Sequence, residues 1–393
     1  MPDLKPTMKR FLWPTLLASL GLGVGTLAAA GQPLRVTLLG QSLIKVDLRT
    51  AAPLAVEQAR AYLPADSVVL SNLEVAIAAP DVRVEKRNAA VARVGPEVLD
   101  ALGEMGIDML ALSNNHALDL GVSGLMATLD ELAARGIAHA GAGRDLESAL
   151  KPGLIERPEG RYALIGIASG GVQLSPETWA SPQRAGVNFL ELRADGSLNP
   201  SQARQIIETI RAAAQNADLV LVYHHNHYWG APSEAPGMPL REPRSRRYET
   251  PDWMRQFARE VIDAGASVYW AHGNPALHGI EIYRGKPVFY GLGNYIFHAV
   301  SHPDRFGPLA FQSAAIDVEF AATGRLSSIR IAPLSLTLDA SDHGPRGTPY
   351  LADSEDAQTI LLRLAHLSRR YGTEIVVEGN EGFIKPSTLH SDP

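Results

Sequence analysis

The chain alternates short apolar runs with longer stretches of mixed polarity, and each run predicts an element. Residues 34–39 are apolar and end at Gly40, the pattern of a buried strand feeding a loop. Residues 67–70 repeat the pattern and lead into Asn72-Leu73-Glu74. Residues 108–112 give a third run, followed at once by Ser113-Asn114-Asn115-His116. Runs at 163–168, 219–223 and 267–270 predict three more strands. The second of these delivers His224-His225-Asn226-His227, and the third delivers His272. Helical spacing occupies 96–105, 121–135, 200–214 and 251–264, with Pro200 at a favourable first-turn position and Gly136 as a stop. Two hairpins come next, 280–283 with 287–290 about Arg284-Gly285, and 314–320 with 326–331. Strands alternating with helices predict an α/β fold with a largely parallel core, and the late hairpins predict a mixed second sheet.

The ends of the chain read differently. Lys5, Lys9 and Arg10 precede an apolar stretch, 11–30, that closes on Ala28-Ala29-Ala30, so residues 1–30 are expected to be a signal peptide. Pro14 and the glycines at 21, 23 and 25 favour cleavage; the alternative is an uncleaved membrane anchor. Both place the rest of the chain in the periplasm or outside the cell. A main domain is expected over 31–338. From 339 the chain turns polar before a helix at 354–369, read as a C-terminal extension over 339–393. Residues 231–250, rich in Pro, Glu and Arg, predict a long surface loop.

Composition narrows the chemistry. A net charge of -6 argues against a general nucleic-acid binder, which needs a basic face. The absence of cysteine excludes disulfides, thiolate metal sites, cysteine nucleophiles and a lipid-bearing cysteine anchor. Any metal must be held by His, Asp, Glu or Asn, which suits divalent ions that accept imidazole and oxygen.

The polar residues of interest share one position, directly after an apolar strand, where open α/β sheets bind ligands. Gln41, Asn72, Glu74, Asn114, Asn115, His116, the 224–227 run, His272 and Asn294 would converge on one edge. Asp119 lies one helical turn beyond His116 and could orient its imidazole through the second nitrogen. The other reading of this Asn-rich turn is a helix cap. Histidines two apart on a strand share a face, so His225 and His227 should act together with His224 turned away. His227 is then a candidate proton donor, and Tyr228 and Trp229 could stack on a substrate. Asp47 could supply a nearby charge. Arg241, Arg244, Arg246 and Arg247 could bind a polyanion; a solvated loop is the plain alternative. His278 reads as structural.

The succession Gly40-Gln41, Asn72-Leu73-Glu74, Ser113-Asn114-Asn115-His116 with Asp119-Leu120-Gly121, the segment 225–230, His272-Gly273, Gly279-Ile280-Glu281-Ile282-Tyr283-Arg284-Gly285-Lys286-Pro287 and Gly291-Leu292-Gly293-Asn294 resembles the capsule-synthesis CapA (poly-gamma-glutamate synthesis) family over residues 34–300. That resemblance implies a four-layer α/β/β/α sandwich with mixed sheets, of the calcineurin-like metallophosphoesterase type. It implies a divalent-metal site, for one or two ions of Mn, Zn or Fe, held by Glu74, Asn115, His116, His225 and His272. His227, Asn114 and Asp119 would be catalytic, and Gln41, Asp47, Trp229, Arg244 and Asn294 would face substrate. Two departures stand out. Gln41 occupies a position where the family often has Asp, and His272-Gly273-Asn274-Pro275-Ala276 lacks the second histidine common there. The implied function is exported capsule or poly-gamma-glutamate synthesis, as a metal-dependent hydrolase of a phosphoester or of an amide in an anionic polymer. The alternative is a non-catalytic polymer-binding or export protein. The implied partners are an anionic polymer or a phosphorylated small substrate, and a membrane-bound synthesis complex.

Overall fold

The computed structural model describes residues 31–78, 94–170, 174–227, 249–299, 307–340 and 343–384. The expected signal peptide and most of the expected 231–250 loop, with Trp229 and Arg244, lie outside these residues. Two mixed sheets form the centre. The larger has nine strands. Four of them, Leu34–Leu38, Val68–Asn72, Met109–Ala111 and Ala138–Ala140, run parallel. The strand Gln312–Phe320 joins Leu34–Leu38 antiparallel and continues through the hairpin to Leu326–Leu336. The second sheet has six strands, with Gly160–Ser169, Leu219–Asn226, Val268–His272 and Lys286–Phe289 parallel at its centre. Its edge strand Ile280–Tyr283 pairs antiparallel with Lys286–Phe289. Arg284 and Gly285, at φ of 49° and 67°, make the tight turn that needs two positive φ values. Each late hairpin thus enters a different sheet, so both sheets are mixed.

Side-chain alternation sets the layers. Leu219, Leu221 and Tyr223 face the first sheet, with Val268 and Trp270 beside them and Val36, Leu38, Leu70 and Met109 opposite. Val220, Val222 and Tyr269 point the other way, under Ile206 and Ile210 of Pro200–Ala214 and Phe257 and Val261 of Asp252–Asp263. On the far side, Val69 and Leu110 meet Val56, Leu99 and Leu125 of the helices Pro53–Tyr62, Glu97–Glu104 and Gly121–Ala134. The order of layers is therefore α/β/β/α. No helix among the described residues is long and apolar enough to cross a membrane.

The segment after 338 is built into this body. Asp353 caps the helix Ser354–Ser368, whose Ile360, Leu361 and Leu364 pack into the layer between the sheets. The hairpin Ile375–Glu378 and Glu381–Ile384 then adds to the larger sheet alongside Leu326–Leu336. Leu364 is fully buried. Leu364→Ala is expected to cost about 2–5 kcal/mol of stability, read as a lower urea midpoint. A midpoint equal to wild type would show that the C-terminal helix is a removable appendage.

Candidate functional site

The carboxyl ends of both central sheets open on the same side, and polar bonds tie them across the gap. Gly273 N–H donates to Gln41 Oε1 at 3.1 Å, and His272 Nε2 donates to the Leu39 carbonyl at 3.0 Å. Gly273 has a φ of 105°, and an added Cβ there would overlap the Asn226 carbonyl, so this close approach needs glycine. Gln41 Nε2 donates to Asn294 Oδ1 at 2.6 Å, and Asn294 Nδ2 donates to the Ala310 carbonyl at 2.8 Å. Both side chains are buried and committed to the protein.

A second chain of bonds fixes His225. The Ser42 N–H donates to Asn72 Oδ1 at 2.7 Å, which sets the orientation of that amide. Asn72 Nδ2 then donates to the Tyr223 hydroxyl at 2.8 Å, leaving the phenolic proton for His225 Nδ1 at 3.0 Å. His225 therefore carries its proton on Nε2, 2.8 Å from Asn115 Oδ1 and 3.1 Å from His227 Nε2. His225 and His227 meet on one face. His224 lies on the other, fully buried between Ser169 Oγ and the Tyr269 hydroxyl, each at 2.6 Å. Burial holds His224 down to about 3, and His227 down to about 4 with help from the His116 charge. His225 is depressed as well, by burial first and then by its histidine neighbours. His227 Nε2 faces the His225 N–H at the edge.

His116 behaves differently. Its Nδ1 lies 2.6 Å from Asp119 Oδ2, and its side chain is 23% exposed while that of Asp119 is 2%. Burial works against the charged ring, but the Asp119 bond and the charges of Asp119 and Glu74 outweigh it and raise its pKa. Asp119 holds Nδ1, and the remaining ring nitrogen, Nε2, is unclaimed by Asp119. Glu74 Oε1 lies 4.0 Å from His225 Nε2. Burial raises the Glu74 carboxyl to about 7, although the His116 charge and an Asn72 hydrogen bond pull it back.

Among the described residues, Glu74 Oε2, His272 Nδ1 and Asn226 Oδ1 are buried lone-pair atoms at this edge without a partner, and the first two belong to side chains that suit a cation. Burial keeps His272 neutral, at about 3. Those two atoms, with Asn115 Oδ1, are what a cation would use, and His225 could join only by moving its proton to Nδ1. Among the described residues no three His, Asp or Glu side chains converge tightly enough to hold an ion by themselves. The donor set needs the Asn115 amide.

Other expected site residues take structural places. Asn114 Nδ2 donates to the Leu73 carbonyl and its Oδ1 accepts from the His116 N–H, so it shapes the turn. Asp47 caps the short helix Leu48–Ala51 and pairs with Arg49. Two residues not foreseen from sequence flank the edge. The Lys45 ammonium acts on both His116 and Asp119, and His298 Nδ1 accepts from the Lys45 N–H. A groove at the opposite, amino ends of the strands is lined by Arg60, Asp66, Asp108 and Arg157. Asp66 pairs with Arg35 and Asp108 with Arg157, so that groove offers little free charge.

An α/β/β/α sandwich with Asn, His and Glu side chains gathered at the carboxyl ends of both sheets is the class that fold and site define. The chain belongs to the bacterial capsule synthesis protein PGA_cap family, whose model matches residues 26–299. It is 29% identical over 315 residues to a probable polyglutamine synthesis accessory protein of Mycobacterium tuberculosis, covering 79% of this chain and 75% of that one. It is 30% identical over 201 residues to the PGA biosynthesis protein CapA of Bacillus subtilis, covering 51% of this chain and 45% of the relative. Among solved structures, a phosphatase from Mycoplasma pneumoniae aligns over 78% of this chain and 94% of that chain, at 12% identity and a TM-score of 0.45.

The raised Glu74 carboxyl bears on stability. Between its ordinary value of 4.5 and about 7 the folded chain holds a proton that the unfolded chain has released. Stability therefore falls as pH rises through that window. In metal-free protein, Glu74→Gln is expected to be the more stable form at pH 8, by on the order of 3 kcal/mol at about 1.36 kcal/mol per pH unit, with no advantage at pH 4. Thermal melts at the two pH values read this. A difference independent of pH would mean that Glu74 is not held protonated by burial.

Proposed function

We propose that this chain acts outside the cytoplasm in capsule or poly-gamma-glutamate synthesis, and that it carries a single-cation hydrolytic site. The family supports the process, and the N-terminal pattern supports export. The observation that carries the hydrolytic reading is the pair of buried, unpartnered lone pairs, Glu74 Oε2 and His272 Nδ1, at the edge that also holds the His116–Asp119 pair. Glu74, Asn115 and His272 would hold a divalent ion, with His225 joining after its proton moves. When bound, such an ion acidifies a water and polarises the bond to be cut.

The chain's own residues supply the rest. His116, held by Asp119, donates a proton from Nε2 to the leaving group. Gln41 is bound at both ends of its amide and has no place in a second metal shell. The substrate class is a phosphoester or an amide of an anionic polymer. A second reading, a non-catalytic polymer-handling protein in a synthesis complex, is favoured by that same commitment of Gln41.

Elemental analysis of the purified chain, after incubation with Mn or Zn, is expected to give one ion per chain. Glu74→Ala or His272→Ala should lose the ion, whereas His116→Ala should keep it and lose hydrolysis by about 100-fold or more. No ion in wild type under any loading would leave the polymer-handling reading. The Asp119→Asn variant tests the acid. Loss of the carboxylate lowers the His116 pKa, so the alkaline limb of the kcat/KM profile should move to lower pH. A limb that does not move would remove His116 as the proton donor.

A further inference from the structure

Beside the His116–Asp119 pair, two strands that meet only through the tertiary fold bring a lysine and a histidine together. The strands Gln41–Leu43 and Asn294–Phe297 pair in parallel, Gln41 against Asn294 and Leu43 against Phe297. Both therefore leave the sheet in the same direction, into Lys45 and His298. The His298 N–H donates to the Leu43 carbonyl at 2.9 Å, and the Lys45 N–H donates to His298 Nδ1 at 3.1 Å. The second bond settles the tautomer. Nδ1 accepts, so the neutral ring carries its proton on Nε2. That Nε2 is buried and has no acceptor among the described residues, in a residue only 8% exposed. Leaving a buried donor without an acceptor is costly, so the arrangement calls for one.

We propose that the Lys45 ammonium and the His298 Nε2–H form an oxyanion-binding flank of the site, which receives an anionic group of the substrate. The flank rests on the location of the site given above but not on its hydrolytic activity. Charge favours the assignment. The nearby carboxylate, Asp119, attracts the Lys45 ammonium but spends its hydrogen bond on His116 Nδ1. Lys45 has a flexible, partly exposed stem, and His298 offers a fixed donor. Together they match an oxygen-rich anion, either a phosphate or a carboxylate of a γ-glutamyl chain.

The test is calorimetric titration of inorganic phosphate and of tri-γ-glutamate into full-length protein that has been chelated and buffer-exchanged, so that no ion contributes. Wild type is expected to bind at least one of them. Lys45→Met and His298→Leu should each weaken binding by about 10-fold to 100-fold, and His298→Gln, which keeps a donor near the Nε2 position, should restore most of it. Thermal melts confirm that each variant is folded. Tighter binding of phosphate assigns the flank to a phosphoester, and tighter binding of the peptide assigns it to the polymer. Failure of wild type to bind either anion, or wild-type affinity in both Lys45→Met and His298→Leu, would overturn the proposal. Turnover of a simple phosphoester by the metal-loaded protein separates the two readings. Activity with unchanged anion affinity in the variants sinks the flank alone; weakened affinity without activity in wild type sinks the hydrolase alone.

Discussion

The alternation of side chains along one strand, Leu219–Asn226, governs this molecule. Its register is held on both sides, with Tyr223 against Gly166 on one neighbour and against Trp270 on the other. Three of its side chains fill the layer between the sheets, and the intervening ones fill the layer beneath the helices. A slip of one residue would exchange those sets, and it would also exchange His225 with His224. Core packing thereby decides which histidine reaches the strand-end edge. The apolar part of the strand and its polar tip obey a single rule.

That division gives the two histidines opposite surroundings. His224, on the helix side, has a hydroxyl on each ring nitrogen and aromatic rings around it, Trp253, Phe257 and Tyr269. It is a satisfied core residue. His225 sits at the end of a relay that starts at a backbone N–H, passes through Asn72 and Tyr223, and ends at Asn115. Such a relay stiffens the edge because each bond restricts the next. Beside this relay, Glu74 Oε2 and His272 Nδ1 are buried without a partner among the described residues.

Much of this was legible from residue order. Apolar runs marked the strands, and the polar residues directly after them marked the edge. Period-two geometry placed His225 with His227 and apart from His224. What was not legible depended on distant pairing. Nothing local in Gln41 or Asn294 indicates that they clasp each other, because their strands are joined only in the folded sheet. The same holds for Lys45 and His298. Lys45 did carry a weak signal, as a lone charge in the apolar stretch after Gln41. Asp47 could have been recognised as a cap from Arg49 and the short helix that it opens. The spacing of Ala357, Ile360, Leu361 and Leu364 already describes an amphipathic helix, so the polar stretch before it marked a loop within the body. Trp229 and Arg244 fall outside the described residues.

The amide of Gln41 matters well past its own position. It uses its oxygen on Gly273 and its nitrogen on Asn294, and so fastens three stretches of chain that are far apart in sequence. A carboxylate offers acceptors only, and could not give Asn294 Oδ1 the hydrogen it now receives. Position 41 can therefore serve as a rivet or as a ligand, but one side chain cannot do both. In this chain the rivet is made, and its two hydrogen bonds join the mouth of the sandwich.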